Sequence, residues 1–387
     1  MYPHQIERLT DALERADVDA LIATSAENVA YVTGFRSMVY ALFRTAQLAV
    51  WTPRGSALVV PAIDVPAIVN ERIAVDHVIA HGGFVASPGR GEEGERVRAV
   101  LDARVASPAD GLARALEVLG ASGRIGLDES GIAPRLWDAL VARVGHGRVV
   151  PAADLFGSAR RVKAPYEIEC LERALHIAEE ALNAVVQMLK PGVTEREAVA
   201  VLEAEILKRE ATTYPSIIAF GDLSAVPAPW ATDRALRPGE LVRFDVGAVY
   251  KGYCSNVGRM AVMGEPSERQ QQVYEAVQAG VEAAINLVAP GVTAGGIFHA
   301  AMTAARAGGL PDLQRHHVGH GIGLDHWEPP TLAAGDATPL EMGEVLRIEV
   351  PYYEHGWAGV NVKDTILVTR RDSHVMNRSL RGLVVLD

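Results

Sequence analysis

Cysteine is nearly missing from this chain: Cys170 and Cys254 are the only two among 387 residues. Two isolated thiols cannot make the disulfide framework of a small secreted scaffold, so a reducing cytoplasm is the expected compartment. No apolar run approaches the roughly 20 residues that span a bilayer. The stretch from Met1 to Ser25 carries charges throughout, where a secretory leader needs a continuous apolar core. A membrane is therefore not an expected partner. The formal charge of −11 is spread along the chain, and no Lys/Arg-rich run offers a footprint for a phosphate backbone. Nucleic acid is not expected either.

What is present is apolar residues, 49% of the total, enough for a sizeable core in two or three domains of about 100–200 residues. Helical spacing from Gln5 to Ala16 is followed by strand-like segments at Ala20–Ile22, Gln47–Trp51, Leu58–Val60 and His77–Ile79. A helix over Pro108–Leu119 and a strand at Ile125–Asp128 continue the alternation of an α/β domain. The composition changes between Val149 and Pro165, with a basic Arg160-Arg161-Val162-Lys163 run. The predicted domains are 1–155 and 156–387, the second opening with a long helix from Tyr166 to Leu189. A faint repeat follows: Pro191-Gly192-Val193-Thr194 and Pro290-Gly291-Val292-Thr293 each separate two helices. Thr194 with Glu197 has the form of a capping box, whereas Gly296 leaves Thr293 a plain N-cap. Two related halves, and so a pseudo-symmetric C-terminal domain, are predicted.

Five segments of the second half carry acids, imidazoles and a lysine: Arg243-Phe244-Asp245-Val246-Gly247, Ser255-Asn256, His316-His317-Val318-Gly319-His320-Gly321-Ile322-Gly323, Ile348-Glu349, and Asn361-Val362-Lys363-Asp364. In this order they resemble the creatinase, aminopeptidase P and prolidase superfamily. Asn28-x-x-Tyr31-x-Thr33-Gly34-Phe35 and Arg161-Val162-Lys163-Ala164-Pro165-Tyr166-Glu167 are similar to its N-terminal and linker motifs, so the likeness covers the whole chain. The resemblance implies a creatinase-like α/β domain, then a pita-bread catalytic domain, and hydrolysis of a C–N bond. In that family Asp, Asp, His, Glu and Glu bind two divalent metals.

The chain departs from the pattern at four positions. Asp245, His320 and Glu349 stand at ligand positions, but Asn256 and Lys363 replace the two bridging acids. Neither supplies the anionic bridge that a two-metal site needs. A charge-balance argument predicts that the Lys363 ammonium neutralises Asp245 and Glu349 and stays protonated. Ala228 and Trp327 stand where the family has histidines, with His326 one residue displaced.

The main expectation is accordingly a metal-independent hydrolase of a non-peptide C–N bond in a small metabolite, without a cofactor. His320 would act as acid/base with Glu349, Asp245, Lys363 and Glu328 as the remaining catalytic groups. Substrate contacts are expected from Asn256, His317, His326, Trp327, Trp230, Tyr352 and Tyr353, whose aromatic rings favour a flat or cationic molecule. Two alternatives stand beside it. One is an Xaa-Pro dipeptidase-like enzyme with one divalent metal on Asp245, His320 and Glu349. The other is a catalytically silent binding protein. The resemblance also implies a homodimer in which the N-terminal domain of one subunit closes the other's site, bringing Phe35, Arg36 and Arg44 to the substrate.

Overall fold

The computed structural model describes residues 3–84, 87 and 89–387, in two compact units, Met1–Arg160 and Arg161–Asp387. In the first, six strands form a mixed sheet in the order His77–His81, Gly55–Pro61, Leu48–Thr52, Ala20–Ala23, Ile125–Leu127, Val149–Pro151. Its central strands are buried throughout, as expected for a sheet covered on both faces. The helix Pro108–Val118 starts where the Ser107 hydroxyl accepts the Asp110 N–H, and it lays Leu112, Ala115 and Leu116 in the core shared with this sheet.

The second unit contains the predicted repeat as two helix pairs, Pro165–Met188 with Glu195–Leu207 and Glu268–Leu287 with Ala294–Ala307. Thr194 Oγ1 accepts the Glu197 N–H while the Glu197 carboxylate accepts the Thr194 N–H; Thr293 makes only the plain cap to Gly296. Each Pro-Gly-Val-Thr turn is then tied to its half in the same way. Gly192 N–H donates to Leu236 O at 2.9 Å, and Gly291 N–H donates to Leu340 O at 2.8 Å. The return bonds, Leu236 N–H to Val193 O and Leu340 N–H to Val292 O, are both 2.8 Å. No helix among the described residues is long and apolar enough to cross a membrane.

From these turns each half runs into a strand of one large sheet, whose main path is Glu328–Thr331, Gly319–Gly321, Val345–Glu349, Lys363–Val368, Val257–Met263, Leu241–Val246, Ile217–Phe220. Alternation sends Val242, Phe244 and Val246 into one apolar core and leaves Arg243 and Asp245 on the opposite face. In the other half Leu346 and Ile348 are core residues, and Arg347 and Glu349 face away. Each large apolar side chain contributes roughly 1.5–3 kcal/mol by burial. A one-residue slip would exchange it for a charge, so the apolar pattern fixes which groups reach the polar face.

Candidate active site

Cross-strand register assembles the polar face. Gly258 pairs with Asp245 on one side and Lys363 on the other, and Lys363 pairs with Glu349. The row therefore runs Asp245, Gly258, Lys363, Glu349 across neighbouring strands. Beside it, Arg347 pairs with His320 and with Thr365. Gly258 leaves room for the lysine, since a Cβ there would lie 2.6 Å from Lys363 Cγ. Gly319, at φ 142°, lets the His320 strand approach its neighbour; a Cβ would stand 2.0 Å from Arg347 O.

Lys363 Nζ lies 2.7 Å from Asp245 Oδ2 and 2.8 Å from Glu349 Oε2, with all three residues buried. Asn256 Nδ2 donates to Asp245 Oδ1 at 2.9 Å, and an Arg347 Nη donates to Glu349 Oε1 at 3.3 Å. Asn361 Nδ2 stands 3.4 Å from Glu349 Oε2. Burial pushes both carboxyls upward, but the Lys363 ammonium and Arg347 guanidinium reverse this and hold Asp245 below, and Glu349 well below, the usual range.

His320 is fully buried, and its Nδ1 lies 2.7 Å from Gly321 O. A carbonyl only accepts, so Nδ1 carries the proton and Nε2 presents a lone pair, which has no hydrogen-bond partner. The ring stacks on Trp327 with centroids 3.9 Å apart. Burial, with Arg347 adding to it, lowers the imidazole pKa to about 3. His320 is thus neutral in the folded protein at working pH. Because its pKa lies below the unfolded value of about 6.5, the unfolded chain binds the extra proton first as pH falls. Unfolding free energy should drop by about 2 kcal/mol between pH 7 and pH 5 from this group alone. Denaturant titrations of wild type and His320→Gln at the two pH values should differ by that increment.

The other expected site residues are distributed more widely. Glu328 is paired at 2.8 Å with Lys163, each side chain 1% exposed. Lys163→Met would strand a buried carboxylate, and a loss of about 3–5 kcal/mol in unfolding free energy is expected by chemical denaturation. His317 stands edge-on to Trp327 at 4.8 Å, and its Nδ1 accepts the Gly319 N–H. His326 lies 5.4 Å from the Tyr214 ring, with Nδ1 3.1 Å from Asp325 Oδ1. Trp230 is 85% exposed, and Tyr352 is half-buried near Trp357. Tyr353 has the Arg243 and Arg315 guanidinium carbons 5.3 and 5.9 Å from its ring centroid. Phe35 is buried inside the first unit, where Arg36 and Arg44 are exposed.

Sequence reasoning overlooked Arg243, Arg347 and Asn361. The repeat held a signal for the first two. Leu241-Val242-Arg243-Phe244-Asp245 and Val345-Leu346-Arg347-Ile348-Glu349 are equivalent strands, each with an arginine two residues before its acid and on the same face. Arg243 is fully buried and donates to Val226 O at 2.6 Å, while its Nη1 lies 3.8 Å from Asp245 Oδ2.

Residues 169–370 match the model of metallopeptidase family M24, and residues 5–162 match the creatinase/prolidase N-terminal domain. The chain is 34% identical over 233 residues to an Xaa-Pro dipeptidase of Pyrococcus furiosus, covering 60% of this chain and 67% of that protein. It is 26% identical to an uncharacterized peptidase, YqhT, of Bacillus subtilis over 99% of this chain and all of the other. The solved structure of an Xaa-Pro dipeptidase from Bacillus anthracis superposes with a TM-score of 0.83 at 26% identity, covering 99% of each chain.

These matches correct two expectations. A metal-independent catalyst for a non-peptide C–N bond is set aside, because the chain matches a metallopeptidase family and its relatives include Xaa-Pro dipeptidases. The expected absence of a cofactor falls with it. Asn256 and Lys363 change two positions of the family pattern, while Asp245, His320 and Glu349 and the fold that carries them are kept.

The donor set in its present arrangement does not fit a metal ion, however. The Lys363 ammonium already spans Asp245 and Glu349, and Arg347 touches the latter. Among the described residues no group of three or more His, Cys, Asp or Glu side chains is gathered to hold one.

Proposed function

As a chain that belongs to metallopeptidase family M24, this protein is a hydrolase, and we propose that its substrates are dipeptides of the Xaa-Pro class. The observation that carries this reading is the 34% identity to an Xaa-Pro dipeptidase over 233 residues, beside a family match over residues 169–370 that takes in every group of the polar face. The local chemistry supports it. His320 Nε2, Asn256 Oδ1 and Asn361 Oδ1 are buried acceptors without a donor, and a dipeptide brings an ammonium group able to satisfy such acceptors. His320, neutral with a free Nε2, has one lone pair to give, to a divalent ion or, where no ion holds it, to a proton at the scissile bond.

Dependence on a divalent ion comes with the family, and Asp245, His320 and Glu349 are the donors it would use. An ion would have to displace the Lys363 ammonium from the two carboxylates. The test is release of free proline from a panel of Xaa-Pro dipeptides, with manganese, cobalt or zinc and with chelator. Proline release that depends on added metal is expected. No release with any of the three ions would overturn the reading.

The finer assignments belong to the same proposal: a cytoplasmic homodimer in which Arg36 and Arg44 of each subunit reach the neighbouring copy's cleft and hold the substrate carboxylate. Sedimentation should give twice the chain mass. Arg36→Ala and Arg44→Ala should raise KM more than they lower kcat.

A further inference from the structure

Four cations and two carboxylates share the polar face. Arg243, Arg347 and Lys363 are buried beside Asp245 and Glu349, and Arg315 joins them across the Tyr353 ring. The neighbouring carboxylates do not redress the balance: Glu328 is taken by Lys163 and Glu354 by Arg269, while Asp312 is exposed to solvent. Among the buried groups, three cations against two carboxylates leave one positive charge in surplus, and the partly exposed Arg315 adds to it at the cavity. Arg243 Nε and Nη1, Arg347 Nε and Arg315 Nε are enclosed without a hydrogen-bond acceptor. An uncompensated buried charge costs several kcal/mol, and so does an enclosed donor left unpaired when it is charged.

A cavity of about 410 Å³ opens beside this cluster, lined by Arg315, Pro351, Tyr352 and Tyr353, with the exposed Asp312 also on its wall. Arg315 is the partly exposed member, and the buried Arg243 guanidinium lies 5.3 Å from the centroid of the same tyrosine ring. A zwitterionic dipeptide brings one charge of each sign and leaves the surplus as it was. A substrate with an additional carboxylate reduces it.

We infer that this cleft selects acidic substrates, molecules with two carboxylates, one of which docks against Arg315 at the Tyr353 wall with Arg243 and Arg347 supplying positive potential from behind. The inference rests on the dipeptidase reading for its reaction, and it adds the charge of the substrate. Arg315 makes the direct contact, and the buried pair sets the field that attracts it.

The test is equilibrium binding, read by calorimetry, of N-acetylglutamate and N-acetylglutamine, which differ only in one carboxylate and contain no Xaa-Pro bond. N-acetylglutamate is expected to bind about tenfold tighter or more. Arg315→Met, at a partly exposed position, should abolish most of that ratio, and Arg315→Lys should keep part of it. Equal affinities, no binding of either compound at millimolar concentration, or an unchanged ratio in Arg315→Met would each overturn the inference. A retained preference in a protein that releases no proline from any dipeptide would leave the acidic cleft standing and remove the dipeptidase reading alone.

Discussion

Replacing Lys363 with methionine is expected to lower the unfolding free energy by about 3–5 kcal/mol at neutral pH in the presence of chelator. Lys363 holds Asp245 and Glu349 at 2.7 and 2.8 Å, and its loss leaves two buried carboxylates in one row of the sheet with only the longer contacts of Arg243 to Asp245 at 3.8 Å and Arg347 to Glu349 at 3.3 Å. The sign with pH follows from the depressed carboxyl pKa values of the wild type. Their contribution is complete above the unfolded carboxyl range of about 4 and is lost as pH falls through the folded values. The difference between variant and wild type should accordingly shrink toward acid pH, where the variant's carboxyls are protonated.

The same variant should gain affinity for divalent cations, because the ammonium that competes for Asp245 and Glu349 is gone. Added manganese or zinc at about 100 times its dissociation constant would return about 2.7 kcal/mol, reversed by chelator. Denaturant unfolding of Lys363→Met with and without metal measures both effects. Stability equal to wild type in chelator would show that the lysine does not neutralise the pair.

The second large effect is catalytic. His320→Gln is expected to reduce kcat on an Xaa-Pro dipeptide by about 10²–10⁴, the range attributed to a positioned acid/base group. Glutamine keeps a polar group near Gly321 O but lacks the imidazole lone pair at Nε2 and the ring that stacks on Trp327. Far-ultraviolet circular dichroism at neutral pH should match wild type. A kcat within a factor of about three of wild type would assign His320 a structural role only.

Much of the architecture was legible in the sequence for physical reasons that act locally. The helix Pro165–Met188 begins at a proline and carries helix-forming residues throughout, and Thr194 with Glu197 announces the next helix. Glu328 shows the limit of such reading. Its neighbours in the sequence do not point to Lys163, remote in the chain and equally buried, as the ammonium that pairs with it. The exposure of Trp230, 85% in the single chain, is equally invisible to its local sequence. Burial and partnership are decided by chain segments that no local window contains.

Sequence alone determined the two related halves, the family they resemble and the identities of the polar groups, because motif spacing and strand alternation are properties of the chain. Only tertiary structure decided that Asp245, Gly258, Lys363 and Glu349 form one row, with Arg243 and Arg347 on the same face. Register across separate strands sets that row, and it turns scattered charges into a single buried cluster whose sign no stretch of sequence discloses.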